Sequence, residues 1–177
     1  MTRRRTSKVV RNLVVFSDTH CGCRLGILHP DGIQVDDGGR YLPSVFQAKM
    51  WGLWNEFWHE WMPEVTRGEP YDVVHNGDAI HGVHHGSTTQ ISHNLEDQQR
   101  IAEAVLAPVV ALCKKSGGTY YHIRGTEAHI GKSGEYEERL ARTLEAKPNA
   151  EGQYARWDLW KRVGDSRGPL VHLLHHI

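Results

Sequence analysis

Short apolar runs that alternate with helical segments constrain this chain more than any other feature of its sequence. Four such runs have the length and composition of buried strands, at residues 12–17, 71–76, 118–124 and 169–176. Three helical patterns lie between them, each after a capping residue: from Ser44 to about 62, from Asn94 to about 115, and 134–146 after Ser133. This alternation predicts βαβ units, and therefore an α/β fold around a largely parallel sheet.

Two of the predicted helices carry features that bear on packing. In the first, four tryptophans recur at helical spacing: Trp51, Trp54, Trp58 and Trp61. Such a stripe predicts burial against the sheet or, alternatively, a surface for a partner. In the second, Pro108 lacks a backbone donor and is expected to kink or split the helix. Residues 155–163 fit either a strand or a helical turn.

Length and composition are those of one globular domain. The chain has 177 residues, of which 39% are hydrophobic, and the predicted domain spans 12–177. Its formal net charge is zero, so the sequence has no overall bias toward nucleic acid. Residues 1–11 form a basic arm, which is either a solvated tail or a phosphate contact that allows nucleic-acid binding. No run approaches the roughly 20 apolar residues of a membrane span. Three cysteines do not suggest a disulfide framework, and a cytoplasmic protein is expected.

Metal-capable side chains follow each of the four predicted strands. In chain order they are Asp18, His20, Asp78, Glu127, His129, His175 and His176. Because ligands of an open α/β sheet bind outside the carboxyl ends of its strands, these side chains are expected at one edge. Carboxylate and imidazole groups suit Mn, Fe and Zn, and hydrolases hold pairs of such ions about 3.5–4 Å apart. The pattern predicts two divalent ions that hydrolyse phosphate mono- or diesters, with a metal-bound hydroxide as nucleophile.

The motifs and their order also resemble those of a known family. They are Asp18-x-His20, Gly77-Asp78, a Gly-x-Glu/His cluster at 125–129, and His175 or His176. Over residues 12–177 this order resembles the calcineurin-like metallophosphoesterases, and most of all the small phosphatase-like proteins of phages and prophages. The resemblance implies a β-sandwich flanked by helices, with the strands in two stacked sheets. By it, Asp18 and His20 hold the first ion and Asp78 bridges. His175 or His176 binds the second ion.

Two departures from the family pattern alter these expectations. The family has Gly-Asn-His-Asp/Glu at the third motif, whereas this chain has Gly-Thr-Glu-Ala-His at 125–129. Glu127 is therefore expected to replace the asparagine as a ligand, and His129 to act as general acid near the leaving group. The family also closes with Gly-His-x-His, which this chain lacks. The chain is thus expected to be C-terminally incomplete, without the final strands, and to bind metal weakly and hydrolyse slowly.

The stretch VHNGDAIHGVHH, residues 74–85, places four histidines around the predicted bridging aspartate. His75 lies inside a strand and is expected in the core. His81 is either a contact to phosphate, or to water near the ions, or solvated. His84 and His85 are expected on the surface or along a substrate groove. Together these histidines are expected to form a cationic rim that suits phosphate.

A few further residues and functions complete the expectations. Asn94 and Arg124 are candidate substrate contacts, while Cys21 and Cys23 fit either a metal pair or small loop residues. Two alternative functions remain open. One is a nuclease of the same superfamily, favoured by the basic arm. The other is a non-catalytic scaffold, favoured by the altered third motif and the tryptophan stripe.

Overall fold

The computed structural model describes residues 9–84, 86–131 and 134–175. Its strands are β1 Asn12–Phe16, β2 Ile33–Gln34, β3 Arg40–Tyr41, β4 Tyr71–Asn76, β5 Tyr120–Ile123, β6 Ala155–Arg156, β7 Asp158–Arg162 and β8 Leu170–Leu174. Its helices are α1 Val45–Glu56, α2 Met62–Thr66, α3 Leu95–Ser116, α4 Glu127–Ile130 and α5 Glu135–Thr143. A π-helical turn, Phe57–Trp61, joins α1 to α2. Residues 1–8 of the basic arm lie outside the described residues.

A four-stranded parallel sheet in the order β1-β4-β5-β6 organises the fold, as the alternating pattern predicts. Val73 of β4 is the register partner of Val14 in β1 and of Tyr120 in β5. The fourth parallel strand is β6, from the segment that fitted either a strand or a helical turn. The last predicted strand is instead β8, which pairs antiparallel with β7 in a separate two-stranded sheet.

The two faces of the parallel sheet are covered by different layers. Successive strand residues point to opposite faces, so Val73 joins the core on the helical side while Val74 joins a second core. The second core also contains Tyr121 and Ile123 of β5 and Leu159 of β7. The β7–β8 hairpin therefore packs on the face that the helices leave free. Each fully buried aliphatic side chain stabilises this arrangement by roughly 1.5–3 kcal/mol.

The first predicted helix continues through three segments, and it buries only part of its tryptophan stripe. Trp58 is 2% exposed, and Trp51 and Trp54 are partly buried against the same core, which agrees with the packing prediction. Trp61 is 49% exposed, and this residue does not agree with the packing prediction. The π-helical turn has more residues per turn than an α-helix, so residues after Trp58 rotate out of phase with the stripe.

The second predicted helix runs without interruption from Leu95 to Ser116, so the expectation that Pro108 splits it is wrong. Pro108 lies on the exposed side, where water can satisfy the carbonyl that its missing donor leaves free. Asn94 caps this helix as predicted, through its side-chain contact to the Glu96 amide. The predicted cap of α5, Ser133, lies outside the described residues.

Candidate metal centre

The loops after β1 and β4 run side by side beyond the ends of their strands. Backbone amides of Asp18, His20 and Cys21 donate to the carbonyl oxygens of Gly77, Asp78 and Ala79, at 3.0, 3.1 and 2.9 Å. These bonds extend the parallel pairing of β1 and β4 into the loops. The predicted ligands of the first two motifs are therefore held together by the backbone, at the carboxyl edge of the sheet.

Backbone strain concentrates at these same residues. Five described non-glycine residues have positive φ, and three of them are Asp18, His20 and Asp78, with φ of 58°, 41° and 55°. Left-handed conformations are uncommon outside glycine, although Asp and His adopt them more readily than most residues. Strained residues of this kind cluster at functional sites, where the surrounding structure enforces them.

Asp18, His20 and Asp78 form the first candidate ion site, which we call the carboxylate group. One ligand atom from each lies within 4.8 Å of the others. His20 Nε2 is 3.4 Å from Asp18 Oδ1. The prediction that these three side chains converge at one edge of the sheet is confirmed.

Asp78 is the most constrained member of the carboxylate group. It is 3% exposed, and its Oδ1 accepts the Thr126 amide at 2.8 Å. Its Oδ2 faces two imidazole nitrogens, His175 Nε2 at 3.1 Å and His129 Nε2 at 3.6 Å. A Cβ at position 125 would lie 2.1 Å from Asp78 Oδ1, so only glycine permits this approach.

The two imidazoles that face Asp78 each donate through Nδ1 to a backbone carbonyl oxygen. His175 Nδ1 lies 2.6 Å from the Asn76 carbonyl oxygen, and His129 Nδ1 lies 2.6 Å from the His81 carbonyl oxygen. A carbonyl oxygen only accepts, so each Nδ1 carries the donated proton. Each Nε2 is turned toward the Asp78 carboxylate, where it either donates a hydrogen bond to that carboxylate or shares a bound cation with it.

The separations of these donor atoms also suit a shared ion. Two ligands about 2.1 Å from one ion lie about 3.0–3.4 Å apart at octahedral to tetrahedral angles. The distance from His175 Nε2 to Asp78 Oδ2, 3.1 Å, falls inside this range, and that from His129 Nε2, 3.6 Å, lies just outside. The residues therefore fit a divalent metal in both donor chemistry and spacing.

His20, His81 and His129 form a second candidate ion site, which we call the imidazole group. The ring of His20 lies 4.6 Å from that of His129 and 5.5 Å from that of His81. The His84 ring is 4.3 Å from that of His129. Within the described chain, the buried Nδ1 atoms of His20 and His81 have no hydrogen-bond partner. Such orphaned nitrogens are available to an ion.

Burial and mutual repulsion lower the pKa of two imidazoles in this group, His20 and His81. The pKa of His81 falls to about 4, first because burial disfavours its charge and then because His20, His84 and His129 are close. Burial, followed by repulsion from His129, also lowers the pKa of His20. The expected cationic rim is therefore wrong for His81. Neutral imidazole is, however, the form that binds metal.

Glu127 is a predicted ligand that the structure does not bring to either group. It is exposed at the first position of α4, two residues before His129. Residues two apart on a helix point about 200° away from each other, so both cannot face Asp78. Thr126, the residue at the position of the expected asparagine, instead holds Asp78 through its backbone amide.

The predicted substrate contacts are used in different ways. Both ends of the Asn94 amide are engaged within the fold, because Oδ1 accepts from Glu96 and Nδ2 donates to Asp36. The expectation that it contacts substrate is not supported. Arg124 leaves β5 beside the site; its Nε donates to the Ala155 carbonyl at 2.9 Å, and its guanidinium lies 4.9 Å from the Trp157 ring centre.

The remaining candidates are cysteines and two histidines. Cys21 and Cys23 are buried, and burial raises the pKa of the Cys21 thiol to about 12. A protonated thiol does not ligate metal, and neither cysteine belongs to a described candidate group. His85 and His176 lie outside the described residues.

Glu137 and Gln98 support the site without any motif that would reveal them. Glu137, in α5, accepts the amides of Ala79 and Gly125, the neighbours of Asp78 and Thr126. Gln98 of α3 bonds both the amide and the carbonyl of Gly82, next to His81. In the sequence both read as ordinary polar residues of a helix, because their partners are backbone groups distant along the chain.

The chain matches no protein-family model, no curated protein and no solved structure in the comparisons made. Across its described residues, helices fall short of the length and apolar character that crossing a membrane requires. What this protein does must therefore be inferred from its own side chains.

Proposed function

We propose that this protein is a calcineurin-like metallophosphoesterase that hydrolyses phosphate mono- or diesters with two divalent ions. The observation that carries the proposal is the environment of Asp78. Its buried carboxylate faces Nε2 of both His129 and His175, and each ring donates through Nδ1 to a carbonyl oxygen. Imidazoles that ligate metal are commonly oriented in this way, with the other ring nitrogen donating to a carbonyl oxygen, and this supports a cation site at Asp78.

The carboxylate group and the imidazole group indicate which residues would hold each ion. Asp18, His20 and Asp78 would hold one ion, with His175 reaching the same carboxylate. The imidazoles of His81 and His129 would hold the other, and Asp78, which His129 also faces, would bridge the two. Mixed oxygen and nitrogen donors suit Mn, Fe or Zn. When bound, such ions neutralise charge on a phosphoryl oxygen and lower the pKa of water.

The chain itself would bind and orient the phosphoester. Gly77 and Gly125 carry no side chains, which leaves room for the His175 ring and the Asp78 carboxylate beside the backbone. Arg124 supplies a fixed guanidinium at the end of β5, held by its contacts to Ala155 and Trp157. A planar guanidinium matches the geometry of phosphate oxygens.

The layering of the fold supports the same proposal. The parallel sheet carries helices on one face and the β7–β8 hairpin on the other. A second sheet stacked on the first is what the family resemblance implies. The ligand-bearing loops after β1, β4, β5 and β8 also follow the order of the family's motifs.

Metal content and hydrolysis test the proposal on the purified chain. The protein would be stripped with a chelator, reloaded separately with Mn²⁺, Fe²⁺ and Zn²⁺, and analysed for bound metal. Hydrolysis of p-nitrophenyl phosphate and bis-p-nitrophenyl phosphate would then be followed. We expect up to two ions per chain and metal-dependent turnover. Bound metal without hydrolysis would contradict the catalytic role, and a folded chain that binds no metal would favour the non-catalytic scaffold.

An exposed aromatic surface favours a nuclease as the second candidate. Trp157 and Trp160 are 53% and 59% exposed, and Trp157 stacks with Arg124 at the edge of the site. Exposed aromatic and basic side chains together suit single-stranded nucleic acid, whose bases stack on them. Cleavage of single-stranded DNA that exceeds turnover of the nitrophenyl esters would select this candidate, and loss of cleavage in Trp157→Ala would assign the surface to it.

A further inference from the structure

We infer that Glu137 is a positioning residue that sets the separation of the two ligand loops, and that metal affinity depends on it. The inference rests on the proposed metal centre. Glu137 lies on α5, on the helical side of the sheet, and contacts neither candidate group directly. It acts through the backbone on both sides of Asp78.

The contacts of Glu137 join the loops after β4 and β5. Its Oε1 accepts the amide of Ala79 at 2.9 Å, and its Oε2 accepts the amide of Gly125 at 2.6 Å. Ala79 follows Asp78 directly. Gly125 precedes Thr126, whose own amide binds Asp78 Oδ1 at 2.8 Å. One carboxylate thus fixes both the chain that carries Asp78 and the chain that holds its oxygen.

A buried polar network extends the same support to the loop after β1. Thr19, between the ligands Asp18 and His20, donates through Oγ1 to the Ala79 carbonyl oxygen and lies 3.1 Å from His75 Nε2. His75 stacks on His122 at 4.9 Å, and His122 Nε2 is 3.9 Å from Glu137 Oε2. Buried polar side chains in contact with one another thus connect the loop after β1 with Glu137.

Burying the Glu137 carboxylate costs free energy unless other groups compensate its charge. Glu137 is fully buried, at 0% exposure, and no lysine or arginine pairs with it in the described chain. A buried carboxylate without a strong cation is unfavourable, even when it accepts backbone hydrogen bonds. An ion at Asp78 would supply positive charge on the far side of the same loops, which the fold alone does not provide.

The neighbouring Glu138 provides a matched control. It is on the same helix and also accepts backbone amides, those of Tyr154 and Ala155 at 2.8–3.0 Å. Those residues lead into β6 and lie in neither ligand loop. Glu138→Gln therefore makes the same chemical change and weakens the fold, without acting on the loop that carries Asp78.

The experiment compares binding of Co²⁺ to wild type, Glu137→Gln and Glu138→Gln, below their unfolding temperatures. Affinity and the visible absorption of bound cobalt are measured, with unfolding temperature recorded for each chain. Residues that orient metal ligands typically change affinity by about 10–100-fold. We expect Glu137→Gln to weaken cobalt binding by about that factor and to alter the spectrum, while Glu138→Gln does neither. Glu137→Asp, which keeps the charge, should recover part of the affinity and serves if the glutamine variant does not fold.

The outcomes separate the two proposals. Equal cobalt affinity and spectra in Glu137→Gln and wild type would overturn the role of Glu137 alone. An equal loss of affinity in Glu138→Gln would overturn it too, because a general loss of stability would then explain both. A wild type that takes up no cobalt would remove the metal centre and the role of Glu137 with it. Cobalt binding without phosphoester hydrolysis would leave Glu137 in place and overturn the proposed activity.

Discussion

The carboxylate group and the imidazole group share His20, yet they present an ion with different surroundings. Asp18 is exposed, and two negative charges face the first site. The second site consists of imidazole rings, and the pKa of His81 among them is lowered to about 4. Charged oxygen donors suit harder ions such as Mn²⁺, whereas imidazoles suit Zn, Fe, Cu and Ni. Two ions bound at these sites would therefore not be equivalent, and we expect that they could be removed separately.

The largest expected effect comes from Asp78→Asn. This change removes the buried carboxylate charge that His129 and His175 both face. If the ions supply several kcal/mol of transition-state stabilisation, as is typical, hydrolysis should fall by about 10³ or more. Metal analysis should show loss of both ions. Asp165→Asn, in the turn between β7 and β8, makes the same change away from the site. Retention of two ions by Asp78→Asn would contradict the bridging role.

A smaller effect is expected from His81→Ala, because His81 belongs to the imidazole group alone. We expect the metal content to fall by one ion while the carboxylate group keeps its own. Titration with Zn²⁺ followed by calorimetry would show one binding event instead of two. His172→Ala is the control, because this ring stacks on Trp160 on the hairpin. Unchanged stoichiometry in His81→Ala would show that its orphaned nitrogen is not a ligand.

The pair Glu127→Ala and His129→Ala sharpens the comparison further, because His129 belongs to a described candidate ion site and Glu127 does not. His129 lies in the imidazole group, so its removal should lower metal content. Glu127 is exposed, and its removal should change metal content and turnover by less than about twofold, as is usual for surface substitutions. If Glu127→Ala loses metal while His129→Ala keeps it and loses only turnover, the roles predicted from the sequence are restored.

The smallest effect concerns buried His75 and how the stability of the protein depends on pH. Burial, and then repulsion from His122, lowers the pKa of His75 well below 6.5. As the pH falls, His75 therefore binds a proton at a higher pH in the unfolded chain than in the folded chain. Stability is fully present above about pH 6.5 and declines below it, by at most about 1.4 kcal/mol per pH unit for one proton. Urea unfolding of the metal-free protein from pH 7 to 5 should show a shallower decline in His75→Phe. Equal slopes would indicate that another group dominates.

The sequence predicted the first two ligand loops because parallel strands end at the same edge. Asp18, His20 and Asp78 directly follow runs whose length and polarity identify them as buried strands, so their convergence needed only the sheet direction. His75 was predicted in the core for the same reason and is fully buried. These predictions depend on local periodicity, which the sequence carries.

Other parts of the site depend on information that local patterns lack. The short helix α4 turns Glu127 away from His129, although both lie in one motif. The antiparallel pairing of β8 with β7 could not be read from its composition, which suits either sheet. Glu137 and Gln98 bind backbone groups of distant loops, so neither has a sequence signal. His81 was expected to contact phosphate, or water near the ions, or to be solvated; its place beside the His20 ring depends on the path of its loop, which residue type does not reveal.

The left-handed backbone at Asp18, His20 and Asp78 also restricts which mutations this site can sample. Residues branched at Cβ are strained at such angles, whereas glycine, asparagine, aspartate and histidine are tolerated. A library randomised at these positions and selected only for folding should therefore already be enriched in those four residues. Three of the four carry a metal-capable side-chain donor. Selection for stability alone would thus keep this protein within a few substitutions of a metal site.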